Sequence, residues 1–316
     1  MRAASLVIDR RQANRLLLDV VQSAFRLSRK QALTALRDGR VRISGQPCTE
    51  PERRVKIGQH IQLDAKPKKK AEATHGIIIR HVDDAIVVVQ KPAGMTTVRH
   101  ADEVEAMGKR AHRFLPPTLV DLLPAALASA GQPVKGRIRA VHRIDRETSG
   151  LVVLARTSEA ERNLGQQFRA HTTGRRYLAL VRGQAKAQRI ESTFVPDRGD
   201  GRRGSAPGPG VRGQHAITHV RVLDTFGDFS LVECELETGR THQVRIHLGE
   251  AGTPLCGERV YDRPLHGKPI PDASGAKRPM LHAAYLALDH PTTGERLEWH
   301  AEMPADMKKL LKEMKK

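Results

Sequence analysis

Aromatic residues are scarce in this sequence of 316 residues, at only 3% of the chain. That scarcity argues against a broad stacking platform of the kind that binds single-stranded nucleic acid. The three cysteines, Cys48, Cys234 and Cys256, are far apart and odd in number. They form neither a disulfide framework nor a paired zinc site, and a reducing, cytoplasmic compartment is therefore expected.

Long apolar runs are also missing. No segment approaches the ~18 apolar residues of a membrane span, and no apolar stretch follows Met1 and Arg2 as a secretory signal requires. There is no glycine-rich phosphate loop and no nucleophile elbow around a serine. His242 and His247 lack the intervening glutamate of a zincin helix. We therefore expect no metal, nucleotide or nicotinamide cofactor.

Acidic residues are outnumbered, with 35 Asp and Glu against 54 Lys and Arg, which leaves a net charge of +19. The first 70 residues hold 17 basic and 6 acidic residues, so they contribute +11 of that excess. A field of this sign attracts polyphosphate backbones or an anionic membrane surface. No strongly apolar helix face accompanies the lysine run, and we therefore predict nucleic acid as the partner.

Residues 10–64 are predicted to form a small module of two helices followed by short strands. Ser28 and Gln31 form a capping box that opens the second helix, and residues 40–43 alternate as a strand does. This pattern resembles the αL RNA-binding module of ribosomal proteins, and its candidate RNA contacts are Arg29, Lys30, Arg40 and Arg42. Proline and lysine at residues 65–75 predict a flexible basic linker.

Residues 76–303 contain many strand-like runs with few helices between them, which indicates an α+β sheet domain. A capping box at Ser158 and Glu161 predicts a helix to about residue 170, and a shorter helix is predicted over 119–130. Residues 304–316 are set apart as a lysine-rich C-terminal tail, and a terminal helix is predicted over 303–316. Polar insertions are predicted at 101–132 and 197–213.

Two polar clusters stand out in this second part. The first, residues 142–150, places Asp145 between Arg143 and Arg146 directly before an apolar strand. Neighbouring positive charges keep a carboxylate ionised, which suits either an active site or a structural salt bridge. The second cluster, residues 238–247, contributes Arg240 and Arg245, and taken alone it fits a basic turn at the start of a helix.

Together the two clusters resemble the RluA family of pseudouridine synthases. The family's His-Arg-Leu-Asp-x-x-Thr-Ser-Gly segment matches residues 142–150, and its Thr-Gly-Arg-x-His-Gln-Ile-Arg segment matches residues 238–245. Lys91-Pro92-Ala93-Gly94, the strand around Tyr177 and Leu281-His282-Ala283 also occur in the family's order. The resemblance implies an N-terminal αL module followed by a mixed, largely antiparallel β-sheet catalytic domain.

The resemblance also implies conversion of uridine to pseudouridine in RNA without a cofactor. Asp145 would act as the nucleophile at C1′ or as the base at C2′, two routes that the sequence leaves open. Arg245 would be its ion-pair partner. Tyr177 would pack on the base or assist proton removal at C5, and Arg143 would hold the space vacated by the flipped nucleotide. Arg240 and Lys91 are expected in the RNA-binding cleft.

Some features depart from the family pattern and leave alternatives open. Glu258 follows Gly257 where the family commonly has aspartate, and the two insertions bear on the choice of target.

A non-catalytic RNA-binding assembly factor has the same charge profile, and a glycosylase would release the base instead of rejoining it. Structured rRNA is the expected target, with tRNA as the alternative.

Overall fold

The computed structural model describes residues 4–37, 40–48, 50–64, 75–99, 105, 115–132, 136–208 and 210–315. The chain divides into two compact units, Met1–Glu72 and Ala73–Lys316. Nearly all of the linker predicted at 65–75 lies outside the described residues. Within the described ranges, no helix is both long enough and apolar enough to cross a membrane.

The first unit contains two helices and a small antiparallel sheet. The helices are α1 (Leu17–Phe25) and α2 (Arg29–Arg37), and the strands are β1 (Ala4–Val7), β2 (Val41–Ile43), β3 (Gln46–Pro47) and β4 (His60–Leu63). The strand order is β1-β4-β2-β3. Because β1 pairs with β4, the unit begins before the predicted start of the module at residue 10.

The helices of this unit form where the sequence pattern predicts them. Leu17, Val20 and Val21 share the buried face of α1 and join one apolar core with α2 and the sheet. The Ser28 backbone N–H donates to Gln31 Oε1 at 2.8 Å, and the Gln31 N–H donates to Ser28 Oγ at 3.2 Å. This reciprocal pair is the predicted capping box at the start of α2.

The second unit contains one large sheet with helices packed on it. Its helices are α3 (Leu119–Ser129), α4 (Ser158–Ala170), α5 (Gln243–Glu250) and α6 (Ala305–Met314). Its strands are β5 (Ile78–Val82), β6 (Ile86–Lys91), β7 (Arg139–Ala140), β8 (Ser149–Ala155), β9 (Gly174–Arg182), β10 (Gln188–Val195), β11 (Gly204–Ser205), β12 (Gln214–Phe226), β13 (Phe229–Leu236), β14 (Leu281–Asp289) and β15 (Arg296–His300).

The main path of this sheet runs β11-β10-β12-β13-β9-β14-β8-β6-β5, with β15 beside β14 and β7 beside β8. The pair β8–β14 is parallel, and every other described pair is antiparallel. The predicted α+β class with a mixed, largely antiparallel sheet is therefore confirmed.

One local prediction needs correction, because the side chain that caps α4 is Thr157, whose Oγ1 accepts the Ala160 N–H at 3.1 Å, rather than Ser158. The terminal helix predicted within the lysine-rich tail is confirmed as α6, whose Met307 and Leu310 are buried in a core cluster with Met280. Its apolar face therefore belongs to the fold of the second unit, and its lysines lie on the other side.

The parallel contact between β8 and β14 depends on a glycine. All seven residues of β8 are buried, and Gly150 pairs with Ala283. Gly150 has φ +119°, and a Cβ added there would lie 2.2 Å from the Ala283 carbonyl oxygen. Only glycine fits both the backbone conformation and the close approach. This contact anchors the strand that follows Asp145.

We predict that Gly150→Ala lowers the free energy of unfolding of the second unit by more than about 3 kcal/mol, because the strands must separate to admit the methyl group. Urea unfolding followed by the fluorescence of Trp299, the only tryptophan, measures this unit selectively.

Gly294→Ala is the matched control. Gly294 also has a positive φ, of +74°, but nothing lies within 4 Å of its added Cβ. Its substitution should cost only about 1 kcal/mol. Equal losses in the two variants would show that the approach of β8 to β14 imposes no special constraint.

Candidate active site

A pocket of about 400 Å³ opens in the second unit beside the loop that precedes β8. Strand β9, the C-terminal end of α4 and the start of α5 complete its wall. Among the described residues, its lining contains a single carboxylate, Asp145, and five arginines: Arg143, Arg169, Arg175, Arg240 and Arg245. The two polar clusters of the sequence therefore meet in one strongly cationic pocket.

The loop that carries Asp145 is held by the segment that follows β6. Thr97 Oγ1 donates to the Ile144 carbonyl at 2.8 Å, and the Ile144 N–H lies 3.3 Å from the same hydroxyl. On the other side of Asp145, the Arg146 carbonyl accepts the Gly94 N–H at 2.8 Å. Because both neighbours of Asp145 are fastened through their backbones, its side chain is aimed into the pocket.

Lys91 takes part in the same fastening, which corrects its predicted role in RNA binding. The residue is fully buried, and its Nζ donates to the carbonyls of Pro92 at 2.9 Å, Met95 at 2.7 Å and Arg146 at 3.2 Å. Burial lowers the pKa of Lys91 to about 7, whereas three carbonyl acceptors match the three donors of the charged form. Its amine is used inside the protein and does not line the pocket.

Arg245 projects from α5 and joins two carboxylates. Its Nε and Nη2 donate to Glu258 Oε2 at 2.7 Å and Oε1 at 2.9 Å, and its Nη1 lies 3.4 Å from Asp145 Oδ2. Burial opposes the charge on Arg245, but the hydrogen bonds to Glu258 and the nearby acids hold its pKa above the usual range. The predicted pairing of Asp145 with Arg245 is thus present, and a two-bonded fork to Glu258 fixes its geometry.

Glu258 is the residue of this site that the sequence reasoning missed. Its side chain is fully buried, and its Oε1 also accepts the backbone N–H groups of residues 259–261. Burial raises the pKa of Glu258, but the bonds to Arg245 and the backbone outweigh it and hold that pKa below its usual value. The signal was its place after Gly257, where the family commonly has aspartate. Glutamate supplies the same carboxylate as aspartate, on a side chain that is longer by one methylene group.

Tyr177 lies on β9 between the two halves of the sheet, opposite Cys234 of β13 and Ala283 of β14. Its ring packs against two of the apolar clusters and lines the pocket. Burial raises the pKa of its hydroxyl, so that it is protonated at neutral pH. The structure therefore brings Tyr177, Asp145 and Arg245 to one cavity.

His242 also faces this cavity, although from the sequence it was considered only as a zinc ligand and that role was excluded. It precedes α5 in a left-handed conformation with φ 59°, and its Nε2 lies 4.0 Å from Asp145 Oδ1. Its Nδ1 shares a 2.8 Å hydrogen bond with the Tyr261 hydroxyl. Burial lowers the pKa of His242 despite the nearby Asp145. A neutral imidazole beside the carboxylate leaves Arg245 as its cationic neighbour.

Arg143 and Arg240, the other arginines predicted for the cleft, are less buried than Arg175 and Arg245. Arg143 is exposed beside Asp145, and Arg240 donates through Nε to the His215 carbonyl at 2.8 Å. Both line the pocket. In the described part of the chain, no group of three or more His, Cys, Asp or Glu side chains is arranged to hold a metal ion.

The basic residues predicted to bind RNA in the first unit differ in exposure. Arg29 and Lys30 are exposed in the first turn of α2. Arg42 pairs through Nε with Asp64 Oδ2 at 3.0 Å, and Arg40 Nε donates to the Asp64 carbonyl at 3.0 Å. Arg29 and Lys30 are therefore the most accessible cations of the predicted set.

The side chains of this pocket suit chemistry on a sugar or a base. A carboxylate fixed beside a guanidinium is held in one orientation, as a nucleophile or a general base requires. A buried aromatic ring next to it offers a surface for a planar base. The surrounding arginines attract a polyanion.

Comparison with known proteins identifies both units. The family model described as RNA pseudouridylate synthase matches residues 85–250, and the S4 domain model matches residues 15–61. Ribosomal large subunit pseudouridine synthase D of Zymomonas mobilis is 37% identical over 233 residues, which cover 73% of this chain and 70% of the relative. The protein of the same name from Neisseria meningitidis serogroup A is 33% identical over 90% of this chain and 74% of its own length.

A solved structure supports the fold. Human RNA Pseudouridylate Synthase Domain Containing 4 superposes with a TM-score of 0.58 at 23% identity, over 75% of this chain and 92% of the human chain. The fold, the residues matched by the family model and the similarity along most of the chain agree. The chain belongs to the RNA pseudouridylate synthase family and is therefore an isomerase, with an S4 domain at its N-terminus.

Proposed function

We propose that the protein converts specific uridines of rRNA to pseudouridine, with Asp145 as the group that attacks or deprotonates the ribose. The observation that carries this proposal is the single pocket carboxylate, 3.4 Å from Arg245 in a wall otherwise rich in arginine. The cationic wall suits the RNA backbone, and the lone carboxylate suits the reacting sugar.

The reaction exchanges one bond of uracil for another. The C1′–N1 bond breaks, the detached uracil turns, and C1′ joins C5; N1 then carries a proton and C5 loses one. No electron is gained or lost overall. Asp145 serves either by bonding to C1′, as the carboxylate nucleophile of a retaining glycosidase does, or by removing the 2′ proton on the way to a glycal.

Arg245 orients this carboxylate. The planar guanidinium is locked by two bonds to the buried Glu258, so that only Nη1 remains directed at Asp145. A lysine could supply the charge but not the fork. The ion pair therefore fixes the position of the attacking oxygen. Arg245 keeps its own proton, because its pKa is above the usual range.

Tyr177 supplies a surface for the detached base. Its backbone pairs with β13 and β14 on either side, and its ring packs against two apolar clusters, so that it stays in place while the uracil turns. Its hydroxyl is protonated, because burial raises its pKa, so it can take the C5 proton only while it passes its own proton to another group. The ring keeps the uracil close to C1′ and thereby opposes simple release of the base.

The target uridine must leave its stack to enter a pocket of this size, at a cost of a few kcal/mol. Arg143 is exposed at the rim next to Asp145, where it can occupy the space that the flipped nucleotide leaves. Cationic contacts with the backbone offset this unstacking cost.

rRNA is the favoured target because several of the relatives are named ribosomal large subunit pseudouridine synthase D. The S4 domain adds a second basic unit, in keeping with a structured RNA. Action on rRNA would be in keeping with a cytoplasmic location. A tRNA target would appear as a modified tRNA in the mapping experiment below.

We predict that Asp145→Asn slows pseudouridine formation at least ~1,000-fold while RNA affinity changes little, because the amide keeps the shape but neither attacks C1′ nor takes a proton. The measurement incubates wild type and variant with unmodified rRNA and tRNA and maps pseudouridine along each.

Glu147→Gln is the control, since it removes a neighbouring, more exposed acid that pairs with Arg146. It should react as wild type does. Pseudouridine formation by Asp145→Asn at the wild-type rate would refute the assignment of the carboxylate. Binding without any product from wild type would favour a non-catalytic factor, and free uracil would reveal a glycosylase.

We also predict that the double substitution Arg29→Gln and Lys30→Gln flattens the salt dependence of RNA binding. The log–log slope should fall by about 0.7–0.9 for each phosphate that is no longer neutralised. Filter binding across a range of salt concentrations measures the slope. Lys308→Gln with Lys309→Gln removes two exposed charges that already have carboxylate partners, and should leave the slope unchanged. Equal slopes in both double variants would mean that α2 does not face RNA.

A further inference from the structure

Arg175 is a buried cation whose charge the proposed chemistry does not use. It lies on β9 and is 7% exposed, and no carboxylate of the described residues lies within ion-pair distance of it. Because strand side chains alternate between faces, Arg175 points to the same face as Tyr177, two residues further on. Both side chains line the pocket that contains Asp145.

The surroundings fit a guanidinium closely but leave its charge unbalanced. Nη2 donates to the Glu237 carbonyl at 3.0 Å, and the guanidinium carbon lies 5.6 Å from the centre of the Phe168 ring. A Cβ at Gly239 would approach Nη1 to 2.3 Å, so the absence of a side chain there makes room for it. Nε is buried and has no hydrogen-bond partner.

A buried charge of this kind is costly unless an opposite charge accompanies it. Arg245 in the same pocket shows the usual arrangement, with a buried carboxylate bonded to its fork. Arg175 has one neutral carbonyl instead. Its place in the pocket wall means that a bound ligand can supply the missing anion.

Nearby groups increase the positive potential at this part of the wall. Arg240, Arg169 and His171 line the pocket beside Arg175. Partial burial, followed by the charges of Arg175 and Arg240, lowers the pKa of His171, so this imidazole is neutral at neutral pH. Two guanidiniums thus act on the same small region, and the neutral histidine can donate a further hydrogen bond there.

We propose that Arg175, together with Arg240, binds a backbone phosphate next to the target uridine, an inference that rests on the proposed action on RNA. The phosphates are the only anionic groups of an RNA chain at neutral pH. A planar guanidinium pairs with phosphate oxygens through parallel hydrogen bonds. Residues two apart on a strand are ~7 Å apart, so a phosphate at Arg175 and a base at Tyr177 are neighbours along the chain.

This phosphate contact fixes the nucleotide before the glycosidic bond breaks. The base is free to turn during the reaction, whereas the ribose must keep C1′ against Asp145. A phosphate held on the same strand as Tyr177 restrains the ribose without touching the uracil. Arg175 is therefore a binding residue for the backbone and takes no part in the proton transfers.

The test compares binding of uridine, uridine 5′-monophosphate and uridine 3′-monophosphate to the full chain by calorimetry. One variant is Arg175→Met, which removes the charge but retains a long apolar side chain. The matched control is Arg176→Met. Arg176 is the next residue of β9 and points to the other face, where its guanidinium carbon lies 3.7 Å from the centre of the Tyr285 ring.

Wild type and Arg176→Met should bind at least one monophosphate tenfold or more tighter than uridine, and Arg175→Met should retain less than a threefold preference. Arg175→Lys should keep part of the preference, because it retains the charge without the fork. In the absence of ligand, the melting temperature of Arg175→Met should equal or exceed that of wild type, since an unbalanced buried charge has been removed.

Three results would overturn the proposal. These are a wild type that does not prefer either monophosphate, a preference that survives in Arg175→Met, and a melting temperature of Arg175→Met far below that of wild type, which would assign the guanidinium to folding. Because no turnover is needed, these outcomes are separate from the pseudouridine mapping. A protein that modifies no RNA could still show the phosphate preference, and a protein that modifies RNA could lack it.

Discussion

The buried side-chain nitrogen of Lys91 makes the contacts on which the geometry of the site depends. It draws together three carbonyl oxygens, two from the segment after β6 and one, that of Arg146, from the loop before β8. Thr97 bonds the same loop on the other side of Asp145. Backbone contacts of this kind hold a carboxylate without using its own oxygens, which therefore stay available to the substrate.

The second constraint is the chain of charges from Glu258 through Arg245 to Asp145. The side chain of Glu258 is fully buried and accepts hydrogen bonds from Arg245 and from the backbone, which fixes its position. Because the guanidinium of Arg245 is planar, its bonds to Glu258 also fix its orientation toward Asp145. The Glu258–Arg245 pair also continues to stabilise the fold when the pH is lowered to the ordinary carboxyl range. Because the folded-state pKa of Glu258 is lowered, its contribution to stability is complete above the ordinary carboxyl range and is lost as the pH falls through the folded value.

The local sequence pattern was sufficient to predict most helices and strands, because capping boxes and the alternation of apolar residues depend only on a few neighbouring positions. The family motifs brought Asp145 and Arg245 to one site, as predicted. The errors in the site concern burial, which depends on residues distant in sequence. Lys91 was expected to be accessible because nothing near it in sequence indicates three inward carbonyls, and Glu258 and Arg175 resembled ordinary polar residues. Their roles come from contacts across the sheet that periodicity does not encode.

A double-mutant cycle on Glu258 and Arg245 tests most directly whether the first residue acts only through the second. Single-turnover rates are measured for Glu258→Gln, Arg245→Lys and the double variant. Each single change should slow the reaction tenfold or more, because an Arg245 released by Glu258 no longer aims Asp145. If Glu258 acts only through Arg245, the double variant should be no slower than the slower single variant. The two tenfold losses then do not add, and the coupling free energy between the residues is at least about 1.4 kcal/mol. Losses that multiply would contradict the account, since the two residues would then act independently.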